Sequence, residues 1–399
     1  MPEIKINKER LVNTFIKYTS IDSESFHEKE FATELKKELL ELGFEISEDN
    51  AGEILGGNQG NVHGILKGDL DLEPILFSGH MDTVIPGNGK KPKILEDGKI
   101  VSDSETVLGA DDVSSVASIL EAVRTLKEAK VKRRDIEVMF FVAEEKHCLG
   151  SKVSDLNKIV SKESYIFDMS GAPGRVAVKA PSSFGIKVKV FGRAAHSGFC
   201  PEKGINAIKI MANAISKTKQ GKLTADTSRN VGVIKGGRAT NIVSDYAECL
   251  AEVRSFSHDE AIKSIKEFEE IFKEEGEKEG LNLFTKEISS VDSLKEESLS
   301  EENKEPHIEF IVTENYKCYK VDENSSVIKR FEKACENLGM KPELVPTFGG
   351  SDNNWLFNNG LNGVVLGCGM NQVHSVDEYI LIDDLYKTAS IALELMQLS

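Results

Sequence analysis

Apolar positions recur at three- and four-residue spacing in two stretches near the start of the chain, and the second carries Phe31, Leu35, Leu39 and Leu42 before Gly43. That spacing predicts two amphipathic helices, the second ending at the glycine. Short apolar runs follow at 61–67, 74–78, 136–142, 164–167 and 363–366, each bounded by polar or glycine residues, with helical patterns between or after them. The alternation predicts an α/β fold built on a doubly wound, mostly parallel sheet. Sheets of this kind bind ligands beyond the carboxyl ends of their strands, so the residues just after each run are where chemistry is expected.

The middle of the chain has a different pattern. Residues 184–191 alternate apolar and polar positions, as a strand with one exposed face does. A helical pattern follows with Ile205, Ile208, Met211 and Ile215, then strand patterns at 230–234 and 247–256, a helix with Ile262, Ile265, Phe268 and Phe272, and a strand at 308–313. The β-α-β-β-α-β order predicts an inserted ferredoxin-like α+β domain. The first domain then resumes through a helix around Val327, Phe331 and Leu338, the glycine-rich strand near Val364 and a C-terminal helix. The expected boundaries are 1–181 and 320–399 for the first domain and 182–319 for the insertion. The acidic stretch 286–306 has few apolar residues and is expected to be a solvated loop.

Several residues just past the predicted strands can bind metal. Gly79-His80-Met81-Asp82 follows the run at 74–78, and in extended backbone His80 and Asp82 point to the same side. Asp111 and Asp112 open a helical pattern, Glu144 and Glu145 follow the run at 136–142, Asp168 ends that at 164–167, and His374 comes after the strand near Val364. Each has an ordinary alternative: the aspartate pair as helix caps, the others as solvated loop residues. Together they place carboxylates and histidines at one rim of the sheet. A mixed nitrogen and oxygen set suits zinc or a similar divalent ion, and five ligands exceed one tetrahedral site, which points to two ions sharing a carboxylate.

Composition narrows the partners. The 399 residues, 40% hydrophobic, carry 66 acidic against 50 basic side chains for a formal charge of -16, which gives no footprint for nucleic acid or an anionic membrane. The first 15 residues lack the apolar core of a signal peptide, and no segment approaches the ~20 apolar residues of a membrane span. Six cysteines with no C-x-x-C pair fit reduced thiols, so a cytoplasmic protein is expected.

The motifs SGHMDTV (78–84), LGADD (108–112), AEE (143–145), AAHSG (194–198), TNIV (240–243), EVRS (252–255), GGSDNN (349–354) and HSVDE (374–378) occur in that order over nearly the whole chain. As a series they resemble the dinuclear zinc exopeptidase family that includes peptidase T, carboxypeptidase G and the aminoacylases, and LGADD with the GGSD…HSVDE ending is most similar to the peptidase T-like branch. The resemblance implies two Zn2+ per chain, with Co2+ or Mn2+ as substitutes. Asp111 is then the bridging ligand, His80 and Asp168 complete one site, and Glu145 and His374 the other. Asp82 is implied to orient His80, Asp112 to form a cis peptide with Asp111, and Glu144 to be the general base. It further implies that the inserted domain is a lid and dimerisation domain, whose His196 stabilises the oxyanion with help from Asn241. Arg254 and the loop with Gly350 and Ser351 are implied to hold the substrate's terminal groups. The expected substrate is a short peptide, the expected activity that of an aminotripeptidase, and the expected assembly a homodimer.

Other readings stay open on these residues. Removal of an acyl group from an amino acid, or dipeptide hydrolysis, would use the same site, and a non-catalytic metal-binding or interaction protein is possible on the same fold. Lys146-His147-Cys148 beside the glutamate pair departs from the family pattern; it is either an extra metal site or a loop histidine with a packed thiol.

Overall fold

The structure is a computed structural model in which residues 4–293 and 305–398 are described. The chain divides into two compact units, Met1–Ala180 with Tyr319–Ser399, and Pro181–Cys318. None of the described helices is long and apolar enough to cross a membrane.

The first unit is a mixed α/β layer structure around a nine-stranded sheet. Its centre is parallel: Ile136–Phe141, Ile75–His80, Glu163–Met169 and Asn362–Gly367 lie side by side in that order. Every residue of Ile75–His80 and Ile136–Phe141 is buried. A strand covered on both faces needs apolar side chains on both, which is why these segments read as continuous runs. Antiparallel strands flank it, Val62–Leu66 and Glu45–Glu48 on one side, Arg175–Ala180 and Tyr319–Lys320 on the other, and the ninth strand, Glu343–Pro346, pairs in parallel with Arg175–Ala180. Helix Ala110–Ala129 packs on the central strands and against Ile382–Gln397 and Lys8–Thr19. The predicted helix at Phe31–Leu42 is Lys29–Glu41, with Gly43 in the left-handed region at φ 86°.

The second unit is a six-stranded sheet in the order Gly221–Lys222, Thr227–Gly236, Tyr246–Ser255, Ser182–Phe191, His307–Tyr316, Asn282–Ser289. Helices Ala207–Lys217 and His258–Glu277 close one core with it, in which Ile210, Met211, Phe268, Phe272 and Phe310 are buried. Two details differ from the expected pattern. In the first of these helices the buried stripe is Ala207, Ile210, Met211 and Ala214, while Ile208 is 41% exposed. Alanines supply half of the inward face, so a search for large apolar residues misplaces it by about a third of a turn. Residues 286–289 of the expected acidic loop belong to Asn282–Ser289, paired in parallel to His307–Tyr316, and Ser290–Ser293 is helical. An edge strand is held by main-chain hydrogen bonds and tolerates polar side chains on its open face. The rest of that stretch, 294–304, lies outside the described residues.

Candidate metal centre and active site

The parallel strands deliver their carboxyl ends to one rim. His80 is the last residue of Ile75–His80, Asp168 the penultimate residue of Glu163–Met169, Glu144 and Glu145 follow Ile136–Phe141, and His374 follows Asn362–Gly367. Asp111 reaches the same place from the entrance of Ala110–Ala129, where it and Asp112 have non-helical backbone joined by a cis peptide bond. Two groups of ligand atoms result, His80 with Asp111 and Asp168, and Asp111 with Glu145 and His374. Within each group the atoms lie within 4.8 Å of one another.

Asp111 belongs to both groups. Its Oδ1 lies 3.0 Å from His80 Nε2 and its Oδ2 lies 3.3 Å from His374 Nε2. His80 Nε2 is also 3.9 Å from Asp168 Oδ1, and His374 Nε2 is 2.9 Å from Glu145 Oε2. The Nδ1 of His80 donates to the main-chain oxygen of Asp82 at 2.9 Å, which turns Nε2 towards the carboxylates. The Asp82 carboxylate lies 3.4 Å from the same nitrogen, but its hydrogen bonds come from elsewhere. The main-chain N–H groups of Glu144 and Glu145 donate to it at 2.9 and 3.2 Å, and the Ser25 hydroxyl donates at 2.7 Å. Asp82 therefore holds both the histidine, through its backbone, and the glutamate pair, through its side chain.

The surroundings are built around these groups. Asp112 Oδ2 accepts the His80 main-chain N–H at 3.1 Å. A Cβ at Gly79 would stand 1.9 Å from Ser115 Oγ and 2.5 Å from Asp112 Oδ2, so only glycine permits this approach. Three buried residues outside the expected site set also act here. Glu378 accepts the main-chain N–H groups of Gly109 and Asp111 at 2.7 and 2.9 Å. Glu28 accepts those of Phe26 and Ala143 at 2.8 and 3.0 Å, fixing the turn before Glu144. The Cys148 thiol donates to Glu144 Oε1 at 3.2 Å. A charged residue in an otherwise amphipathic stretch is the only sequence signal for Glu28, whereas Glu378 stands inside the HSVDE motif.

Burial raises the acids of this rim. It pushes Asp168 and Glu144 well above the ordinary carboxylate range, and neighbouring carboxylates add to the effect. Glu145 is also raised, and Asp352 is pushed up to about 7. Asp111 is the exception: burial acts to raise it, but hydrogen bonds from His374 and His80 hold it below the usual range. His374 is pushed up to about 10 by the Asp111 and Glu145 carboxylates. A buried excess of negative charge at this density calls for cations. Glu145 Oε1 is buried without a hydrogen-bond partner, an acceptor left available to an ion. The donor set and this orphaned oxygen fit divalent metal. His147 and Cys148 belong to neither group of ligand atoms.

The remaining expected residues divide between the units. Ser351 is buried in the first unit, where its main-chain N–H donates to Asn354 Oδ1 at 3.1 Å, and Gly350 precedes it. His196, Asn241 and Arg254 are in the second unit. His196 is exposed, and its Nδ1 accepts the main-chain N–H groups of Gly198 and Phe199 at 3.1 and 3.2 Å. Nε2 therefore carries the proton and is the donor. Asn241 is brought next to it, its carbonyl accepting the Ser197 N–H at 3.1 Å. The Arg254 fork closes on Glu252 at 2.8 and 2.9 Å.

The model of peptidase family M20/M25/M40 matches residues 76–398. An uncharacterised protein of Bacillus subtilis, YqjE, is 33% identical over 392 residues, covering 98% of this chain and 99% of its own. The crystal structure of the aminopeptidase PepT of Bacillus cereus superposes with a TM-score of 0.84 at 34% identity, covering 98% of both chains. That of a tripeptidase of Staphylococcus aureus gives 0.87 at 30% identity with the same coverage. The match runs through every strand end that contributes a ligand, and the chain belongs to peptidase family M20/M25/M40, in its peptidase T-like branch, as a metal-dependent hydrolase.

Proposed function

We propose that the protein is an aminotripeptidase-like exopeptidase that works with two zinc ions, with Glu144 as general base. The observation that carries the reading is the position of Glu144. It belongs to neither group of ligand atoms, yet its Oε2 lies 3.9 Å from His80 Nε2, facing the ligands. His80, Asp111 and Asp168 would hold one ion and Asp111, Glu145 and His374 the other. When bound, the two cations supply Lewis acidity to the attacking water and to the scissile carbonyl. Glu144 takes the proton of that water and later delivers one to the leaving amine.

The Nε2–H of His196 would donate to the developing oxyanion, with Asn241 beside it. In this reading the second unit is a lid and dimerisation domain, and the His196 that serves each centre comes from the other subunit of a homodimer. Arg254 would exchange Glu252 for the substrate's carboxylate, and the Gly350-Ser351 loop would hold the peptide's other groups. Six free cysteines support a reducing, cytoplasmic setting.

The test is hydrolysis of free, N-blocked and C-amidated di- and tripeptides, together with N-acyl amino acids, by metal-reconstituted protein. Free tripeptides should be cleaved fastest, with loss of rate when the amino terminus is blocked. Preference for N-acyl amino acids would overturn the aminotripeptidase reading in favour of a deacylase.

A further inference from the structure

The segment that presents Glu144 is folded back on itself. After Ile136–Phe141 the backbone enters the left-handed region at Ala143 (φ 49°), His147 (φ 64°) and Cys148 (φ 58°). Non-glycine residues adopt that region reluctantly, and three within six positions need compensating contacts. Main-chain bonds supply some of these: the Cys148 N–H donates to the Glu144 carbonyl at 2.6 Å, and the Leu149 N–H to that of Ala143 at 3.1 Å. The tight return brings the Cys148 side chain, 1% exposed, under the Glu144 carboxylate. Its Sγ lies 3.2 Å from Oε1, the thiol donating and the carboxylate oxygen accepting. The two oxygens of Glu144 are thereby distinguished: Oε1 is tied to sulfur and Oε2 faces His80.

We propose that Cys148 is a positioning residue whose thiol hydrogen bond holds Glu144 in the rotamer that turns Oε2 towards the ligand rim. The inference rests on the reading of Glu144 as general base. A glutamate has several rotatable bonds, and a base that must be found in one rotamer at each turnover loses rate in proportion to the time spent in the others. Cys148 belongs to neither group of metal-binding atoms, and its side-chain hydrogen bond is to the proposed base.

Three variants test this beside wild type and Glu144→Gln. Cys148→Ala removes the donor, Cys148→Gly removes it while easing the left-handed backbone, and Cys148→Ser restores a donor. Ala and Gly should each lower kcat about ten-fold with KM and metal content unchanged, and Ser should recover most of the loss. Infrared difference spectra of the metal-free protein give an independent readout. The Cys148 S–H stretch, identified by its absence in Cys148→Ser, should lie at the low frequency of a hydrogen-bonded thiol and move up in Glu144→Gln. Wild-type kcat in both Ala and Gly, a loss explained by metal release or KM, or an S–H band indifferent to Glu144→Gln would each overturn the proposal. If Glu144→Gln keeps full turnover, the general-base reading itself has failed; an S–H shift in that same variant shows that the thiol contact exists regardless.

Discussion

Glu378 Oε1 accepts the main-chain N–H of Asp111 at 2.9 Å, so the residue whose carboxylate faces both histidines is gripped from behind by a second carboxylate near the other end of the chain. Its Oε2 takes the Gly109 N–H as well, and burial pushes the acid up to about 7. Ligand supports of this kind tune metal affinity without touching the metal. Glu378→Gln, which places an NH2 group against one of two N–H donors, should weaken metal binding roughly ten- to a hundred-fold. Competition with a fluorescent chelator measures it; unchanged affinity would show that the Asp111 backbone needs no clamp.

Glu144 and Glu145 are neighbours with opposite expected consequences. Glu145→Gln should reduce the metal held after dialysis below the two ions per chain expected of wild type, because Glu145 lies 2.9 Å from His374 Nε2 in one ligand group. Glu144→Gln should keep both ions and lower kcat by about 10²–10⁴. Elemental analysis beside steady-state kinetics separates the two, and the reverse pattern would exchange their roles.

His196 provides a test of assembly. Homodimers of His196→Ala and of Glu144→Gln should each be nearly inactive. If the protein is the homodimer proposed above, half of the dimers after subunit exchange should be mixed, each with one site whose intact Glu144 receives intact His196 from the other subunit. About a quarter of wild-type activity should return. With exchange verified by mass spectrometry, a failure to recover would place His196 in the site of its own chain or in none.

A pH-dependent contribution to stability is expected away from the metal-binding rim. Glu137 has a fully buried side chain, and burial acts to raise its pKa. Hydrogen bonds from His63 Nε2 at 2.6 Å and from the main-chain N–H groups of Ser161 and Val160 at 2.8 and 3.1 Å outweigh it, so the folded-state pKa is lowered. An acid lowered by folding stabilises fully above its unfolded pKa of ~4.3, and that stability is lost as pH falls through the folded value. Glu137→Gln should therefore destabilise by about 1–3 kcal/mol at pH 7, and the gap should close below about pH 4. Urea melts at both pH values check it; an equal gap at both would mean that packing, not charge, is lost.

The centre of the fold was legible because fully buried parallel strands write themselves as apolar runs, and the ligands follow those runs directly. His80 at the end of Ile75–His80 and Glu145 shortly after Ile136–Phe141 are examples of these candidate ligands. Of the antiparallel margins, Val62–Leu66 lies inside the predicted run at 61–67, but Glu45–Glu48 was missed, because a short edge strand of this kind rests on main-chain pairing and leaves no pattern. The candidate ligand set came from position together with family resemblance, and the structure gathers those residues into two groups. What escaped were the acids that bond only to backbone: Glu28 reaches Ala143 across 115 positions and Glu378 reaches Asp111 across 267. Cys148 was visible only as an oddity, since its meaning lies in a left-handed turn that its own residue type disfavours.

The order of the ligands along the chain also bears on how the protein is made. His80, Asp111, Glu145 and Asp168 all precede the inserted unit Pro181–Cys318, whereas His374 and the clamp residue Glu378 follow it. A ribosome therefore makes four of the five candidate ligands before the fifth, and translates the whole second unit in between. No nascent chain that stops before His374 contains the second group of ligand atoms, and Glu378, the carboxylate behind the Asp111 backbone, comes four residues later. In the two-ion reading proposed above, the second metal site is thus completed only after the inserted unit has been translated.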